Sequence, residues 1–417
     1  MRDPGMPVER PVTDGSGTGA DAEIFDAVVV GGGPSGATAA TELARRGRRV
    51  AMLDRAGRIK PCGGAIPPAL IEEFAIPDDL LVARVNEAQM VAPSHRHVRM
   101  PIDKGFVGMV DREHFDEWLR QRAALAGAAR LTGTYDRIER PEATAGGRAA
   151  LQVHWLDAQG RARTLRARCL IGADGARSRV AQQCVAGADR ARYVFAYHEI
   201  IESPPQGRAF DGARCDVYYK SEISPDFYGW IFPHGPTTSV GSGSAEKGFS
   251  VRRGVDALRK DAGLTQSATI RREGAPIPMV PLPQWDNRRD VVLAGDAAGV
   301  VAPASGEGIY YAMAGGRFAA EAAEEFLATG NARCLAQARK RFMKRHGRVF
   351  RVLAIMQRFW YSSDKRRERF VSICADPDVQ HLTWEAYLRK RLVRARPLAH
   401  LRIFFKDLAH LLGVVRT

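Results

Sequence analysis

Gly31-Gly32-Gly33-Pro34-Ser35-Gly36 fits the spacing G-x-G-x-x-G. In that spacing Gly31 permits a tight turn, Gly33 lets the backbone approach a pyrophosphate, and Gly36 lets the following helix pack close to its strand. Asp54 stands 23 residues after Gly31, placed to accept hydrogen bonds from a ribose, and Arg55 follows it. This is the chemistry of dinucleotide binding; the plain alternative is a glycine-rich loop in an ordinary βαβ unit. In a second cluster, Pro61-Cys62-Gly63-Gly64, the flanking glycines let the backbone of a thiol-bearing segment come close to a ligand. A lone cysteine is otherwise a small buried apolar residue, and both readings stand for Cys62. In a third, Tyr228-Gly229-Trp230-Ile231-Phe232, aromatic residues recur at period two, which on a strand gathers the three rings on one face. Such a wall suits a long apolar ligand, or is ordinary aromatic core. His234 beyond it is a polar group at the pocket edge or a structural histidine. His95 and His97 form an H-x-H pair with no carboxylate or cysteine cluster beside it, so no metal site is expected.

These groups need rigid elements to hold them. Phe25–Val30, FDAVVV, is an apolar run suited to a strand buried on both faces. Ala37–Arg46 reads as a helix, with Gly47 at its C-terminal cap, and Arg49–Leu53 as a second strand. The helix N-terminus offers free N–H groups and a positive dipole end to phosphates. Two later apolar strands run into glycine-acid turns: Leu170-Ile171-Gly172-Ala173-Asp174-Gly175, and Asp290–Gly299, DVVLAGDAAG.

The chain has 417 residues, enough for two or three domains. Its 45% apolar and 26% charged residues exclude a wholly disordered chain. No apolar run approaches the roughly 18–20 residues that span a bilayer. The net charge of +15 is uneven: residues 331–417 hold 21 Lys/Arg against 6 Asp/Glu, and the rest balances at zero. The first 330 residues thus read as a neutral body and the remainder as a basic helical appendage, without a nucleic-acid-binding motif. The apolar stretch Val349–Tyr361, bracketed by basic residues, and the stripe Phe404, Leu408, Leu411, Val415 suit an anionic membrane surface. The alternative is helices packed on the body with a solvated basic face. The six cysteines show no close pairs, which speaks against a zinc ribbon. Residues 1–22 read as a disordered lead-in without the apolar stretch of a signal peptide, so a cytoplasmic location is expected.

The fingerprint alone does not choose between FAD and NAD. With Gly-Ala-Asp-Gly at 172–175 and Gly-Asp-Ala-Ala at 295–298 in order behind it, the chain resembles FAD-dependent enzymes of the p-hydroxybenzoate hydroxylase-like fold. The resemblance implies that Asp174 lies near the cofactor, that Gly295 and Asp296 meet the flavin ribityl chain, and that Arg112 lies beside the flavin. It also implies that NADPH docks transiently. Lys60-Pro61-Cys62-Gly63-Gly64, Tyr228-Gly229-Trp230-Ile231-Phe232-Pro233 and Ser305-Gly306-Glu307-Gly308 are similar to the geranylgeranyl reductases, in particular the branch acting on chlorophyll or bacteriochlorophyll. The fold then expected is α/β, a Rossmann-type FAD-binding domain with an inserted antiparallel-sheet substrate domain and a helical C-terminal region. The FAD-binding domain would comprise 23–60, 105–185 and 286–330, the substrate domain 61–104 and 186–285, and the basic helical region 331–417.

The function implied is NADPH-dependent reduction of the geranylgeranyl group of (bacterio)chlorophyll to phytyl, at a peripheral site on the photosynthetic membrane, with other pigment-synthesis enzymes as further partners. Isolated alkenes are poor hydride acceptors, so a proton must reach the less substituted carbon as hydride reaches the other. Candidate donors are Cys62, Tyr228, His234 and Glu307. Gly306 and Gly308 join the cofactor residues, and Gly63, Gly64, Tyr228, Trp230 and Phe232 form the expected substrate pocket. Rival readings are a reductase of free geranylgeranyl diphosphate or prenyl lipids, an FAD monooxygenase, and a pigment carrier that retains FAD.

Overall fold

The run Ile24–Val30 forms a strand (β1) whose last four residues are buried. A computed structural model describes residues 24–55, 59–103, 105–141, 150–207 and 210–390, and the structural statements below concern these. The expected lead-in and the Phe404–Val415 stripe lie outside them. Beside β1 run β2 (Val50–Asp54) and, on the other edge, β10 (Ala162–Gly172), both parallel to it. β8 (Ala129–Glu139) adds to β2, and β16 (Val291–Leu293) to β10, again in parallel. β8 and β10 are 11 residues each, and their other halves pair antiparallel with β9 (Leu151–Asp157). Two strands therefore belong at once to a parallel layer and to a local meander.

Helix α1 (Pro34–Arg45) connects β1 to β2, with Pro34 in its first turn and Gly47 at φ +77° just past its end. α1 packs against α3 (Arg112–Leu125) and α6 (Ile309–Thr329). The approach to α6 is close because Gly316 has no side chain: a Cβ there would lie 2.2 Å from the Ser35 carbonyl oxygen.

A second sheet has seven strands in the order β15 (Thr269–Pro278), β11 (Tyr193–Glu202), β14 (Thr237–Ser244), β13 (Gly229–His234), β12 (Arg214–Tyr218), β5 (Glu87–Val91), β6 (His97–Pro101). All its pairings are antiparallel except β12 with β5. One face is covered by α5 (Val251–Asp261), which buries Val255 and Leu258. A small sheet of β3 (Ala65–Ile66), β7 (Val107–Val110) and β4 (Leu81–Val85) lies in the segments between the two larger ones. Two short helices, α2 (Pro68–Phe74) and α4 (Arg179–Cys184), follow β3 and β10.

The described residues end with α7 (Gln337–Trp360), α8 (Asp364–Ile373) and α9 (Pro377–Leu388). Val349–Tyr361 is not uniformly apolar-buried or uniformly exposed. Phe350 and Trp360 are buried, whereas Val352 and Ile355 face solvent among Lys344, Arg348, Arg351 and Arg358. No helix among the described residues is long and apolar enough to cross a membrane.

Candidate active site

The glycine fingerprint closes a crevice at the C-terminal edge of the parallel layer. Gly31 sits at φ +106°, and a Cβ on it would lie 2.2 Å from the Ala173 carbonyl oxygen. A Cβ on Gly36 would lie 1.8 Å from the Gly31 oxygen, so both positions exclude a side chain. Above Gly33 nothing stands within 4 Å. Ser35 Oγ, at the N-terminus of α1, is buried and has no hydrogen-bond partner. An open backbone cradle with an unpaired hydroxyl and free helical N–H groups fits a dinucleotide pyrophosphate.

Asp54 ends β2 beneath this turn, with its carboxylate 2.8 Å from where a Gly32 Cβ would be. Arg120 of α3 stands 3.6 Å from Asp54 and reaches toward the Gly32 carbonyl at 3.5 Å. Sequence reasoning missed Arg120, because nothing in its local sequence marks it. Arg55 follows β2 and is exposed. The Gly-Asp turn comes in from the other side: Gly295, at φ +64°, packs so that its Cβ would lie 2.6 Å from Ser35 Cβ. Asp296 beside it is almost fully buried and accepts from Lys60 Nζ at 2.5 Å. Asp174 is turned elsewhere. Its carboxylate accepts from Ser178 Oγ at 2.5 Å and from the Arg179 and Val180 amides at 2.7 and 3.2 Å, capping α4.

From this crevice a cavity of about 340 Å³ extends over the seven-stranded sheet. Pro34, Asp296, Gly306 and Gly308 line its crevice end. Tyr228, Trp230 and Phe232 line the sheet side, with ring centroids 6.1 and 6.3 Å apart in succession, so the period-two spacing does gather the three rings. Gly63 lets Phe232 in: a Cβ there would meet the ring at 2.9 Å. Gly64, at φ +70°, does the same for His234 at 2.4 Å. His234 itself does not line the cavity; its Nδ1 lies 2.9 Å from the Phe232 carbonyl oxygen, and burial pushes it below its ordinary value. The far wall comes from the C-terminal helices: Leu353 and Met356 of α7, and Trp384 and Tyr387 of α9. No local signal pointed to Trp384 or Tyr387, since they close the cavity from about 150 residues beyond the aromatic strand.

Of the four proton-donor candidates, three line the cavity. Tyr228 donates its hydroxyl to the Ser305 carbonyl at 2.6 Å, and burial pushes its acidity far out of reach of neutral pH. Glu307 is buried in an ion pair with Lys390, the residue two past the end of α9. Desolvation pushes the carboxyl up and the ammonium down, against their mutual attraction. Cys62 Sγ accepts from the Gly64 amide at 3.4 Å and lies beside Arg112. That guanidinium is buried and clasped by Asp116 at 2.8 and 2.7 Å, which together with Cys62 keeps it firmly charged despite desolvation.

A parallel layer with this fingerprint, joined to an antiparallel sheet across a shared cavity, defines a flavoprotein of the p-hydroxybenzoate hydroxylase-like fold. The family described as pyridine nucleotide-disulphide oxidoreductase matches residues 25–203. A geranylgeranyl diphosphate reductase of Rhodobacter capsulatus is 57% identical over 392 residues, covering 94% of this chain and 98% of its own length. A chloroplastic geranylgeranyl diphosphate reductase of Oryza sativa is 35% identical, covering 90% of this chain and 83% of its own. A solved geranylgeranyl bacteriochlorophyll reductase-like protein of Thermoplasma acidophilum shares the fold with a TM-score of 0.77 at 22% identity, covering 91% of this chain and all of that one. The chain belongs to the geranylgeranyl reductase family, and it is an FAD-dependent reductase of C=C bonds.

Proposed function

We propose that the protein reduces the geranylgeranyl tail of bacteriochlorophyll to phytyl, with NADPH as the reductant. The observation that carries this reading is the apolar cavity reaching from the Asp296 crevice to the Tyr228–Phe232 wall. Its volume lies within the roughly 300–1,000 Å³ of small-molecule sites. Bound FAD supplies hydride transfer. On this reading the parallel layer is the cofactor domain and the seven-stranded sheet the substrate domain, divided at the boundaries expected from the sequence. Gly31, Gly33, Gly36, Asp54, Arg55 and Arg112, with Gly295, Asp296, Gly306 and Gly308, serve FAD, whereas the Asp174 carboxylate expected beside them is spent on the α4 cap.

The protein excludes water and holds the tail, and its aromatic faces stabilise positive charge developing at a tertiary carbon. Each double bond takes one hydride and one proton. Tyr228 commits its proton to Ser305, and Glu307 is held in its ion pair, so the geometry favours Cys62 Sγ as the proton source. The thiolate left behind faces the Arg112 guanidinium. The outer face of α7 offers Val352 and Ile355 amid basic residues, a combination suited to an anionic lipid surface where a pigment dissolves.

A second reading, free geranylgeranyl diphosphate as substrate, is favoured by the names of the relatives. The test is mass spectrometry of the tail after anaerobic incubation with FAD and NADPH, with pigment ester and diphosphate in competition. Hydrogenation of the ester by successive pairs of hydrogens supports the proposal. Preferential reduction of the diphosphate favours the second reading. A need for oxygen would make the protein a monooxygenase instead.

A further inference from the structure

Trp230 lies on a seat made by four strands. Across the seven-stranded sheet, Trp230 of β13 is paired with Gly241 of β14, Gly241 with His198 of β11, and His198 with Glu273 of β15. All four belong to one row. Gly241 has no side chain, and the indole fills the gap: a Cβ on Gly241 would lie 2.1 Å from Trp230 Cζ2 and 2.7 Å from His198 Cβ. The indole therefore lies along the sheet toward His198 as part of the cavity lining.

A chain of hydrogen bonds fixes it there. Trp230 Nε1 donates to Ser239 Oγ at 3.1 Å; Ser239 Oγ lies 2.9 Å from His198 Nδ1, and His198 Nε2 lies 2.9 Å from Glu273 Oε2. An indole nitrogen can only donate. Ser239 Oγ therefore accepts from it and keeps its own proton for Nδ1, and with the imidazole proton on Nε2, that proton is donated to Glu273. Every bond then has one donor and one acceptor. Ser239 is fully buried and His198 nearly so. Arg271 pairs with the other oxygen of Glu273 at 2.7 Å and anchors the far end.

We propose that Ser239, His198 and Glu273 are positioning residues that hold the Trp230 indole and thereby set which stretch of a polyprenyl tail lies at the crevice end of the cavity. This rests on the reading of the cavity as a prenyl site. With the chain broken, the ring gains freedom and the tail loses its register. Turnover slows, and partly reduced tails leave before every reducible bond has been presented.

The test uses the full-length holoenzyme with Ser239→Ala, Glu273→Leu and the conservative Glu273→Gln, whose amide oxygen still accepts from Nε2. Three readouts are taken: flavin absorbance, the 15N indole resonance assigned through Trp230→Phe, and the distribution of reduction products from geranylgeranylated bacteriochlorophyll. In Ser239→Ala and Glu273→Leu, flavin occupancy stays at the wild-type level and the indole resonance moves. The value of kcat falls about tenfold, as expected for one lost buried hydrogen bond, and partly reduced products accumulate. Glu273→Gln behaves as wild type. An unmoved resonance in both disrupting variants, or a moved resonance with wild-type products, overturns the proposal. Should Ser239→Ala lose flavin, Glu273→Leu decides alone, because it changes only the outer end of the chain. If the wild-type protein leaves the tail unreduced, the prenyl-site reading fails, while the indole resonance still reports whether the chain holds the ring.

Discussion

Replacing Lys390 by methionine isolates the energetics of the buried pair that ties the C-terminal helices to the Ser305–Gly308 loop. In the native protein both side chains are at most 5% exposed, and one Glu307 oxygen, Oε1, has no other partner. Removing the ammonium leaves the desolvation that pushes Glu307 up, opposed only by the Tyr310 amide, so the carboxyl takes a proton. Protonating at pH 7 a carboxyl whose ordinary value is 4.5 costs at most about 3.4 kcal/mol, at about 1.36 kcal/mol per pH unit. If that penalty falls on α9 opening, its amides exchange up to about 300-fold faster. The sign is fixed. With the folded value above the unfolded one, stability is full below the unfolded value and is lost as pH rises through the folded one. After correction for intrinsic exchange, the excess therefore shrinks about tenfold per pH unit between pH 7 and pH 5. Glu307→Gln does less harm, because Lys390 keeps three tyrosine rings within 5.3 Å. Lys390→Met combined with Glu307→Gln returns close to wild type. Hydrogen exchange with mass spectrometry reads all of these. A Lys390→Met defect that is independent of pH, or a double variant as damaged as the first, would refute the reasoning.

Asp296→Ala purifies with little or no flavin by absorbance, since the acid at the crevice is lost; full FAD occupancy would show that the Gly-Asp turn does not hold the cofactor. Trp230→Ala keeps its flavin but loses tail reduction, because the indole lines the cavity; wild-type product yield would contradict that. Cys62→Ala keeps FAD and loses about 10²–10⁴-fold in turnover, the usual contribution of a positioned acid; a loss below tenfold would return the proton to another donor. Sedimentation with anionic vesicles falls with added salt, each basic residue at the surface contributing about 1 kcal/mol; equal binding to neutral vesicles would remove the electrostatic reading of α7.

Much of the cofactor crevice was legible because its constraints are local. Gly36 is dictated by its contact with the Gly31 oxygen within one turn, Gly31 by its φ of +106° as well as by Ala173 across the sheet, and β1, α1 and β2 follow one another in sequence. Period two sufficed to gather Tyr228, Trp230 and Phe232, since strand geometry alone decides which side chains share a face. It did not say where the cavity ends along that face, and His234, two residues on, lies beyond its lining. Asp174 carried a motif yet spends its carboxylate on a helix cap, a choice made by the turn that follows it. Lys390, Trp384 and the Ser239–His198–Glu273 chain were beyond reach for another reason. Their partners are set by strand order and helix docking across tens to hundreds of residues, and no spacing in the chain records that.

The double membership of β8 and β10 bears on how the protein is made. β8, β9 and β10 are consecutive, so their meander closes through local contacts at little loop-closure cost. Once formed, its extended ends present edges on which the already synthesised β2 and β1 can add. β16 cannot join them until about 120 more residues, the bulk of the second sheet, have been synthesised. The Gly295–Asp296 turn rides on that late strand. During synthesis the nascent chain thus exposes an unfinished β10 edge and a half-built crevice for several seconds, at roughly 5–20 residues per second. On the proposed assignment of the Gly295–Asp296 turn to the cofactor, capture of the flavin is then a late event in biogenesis.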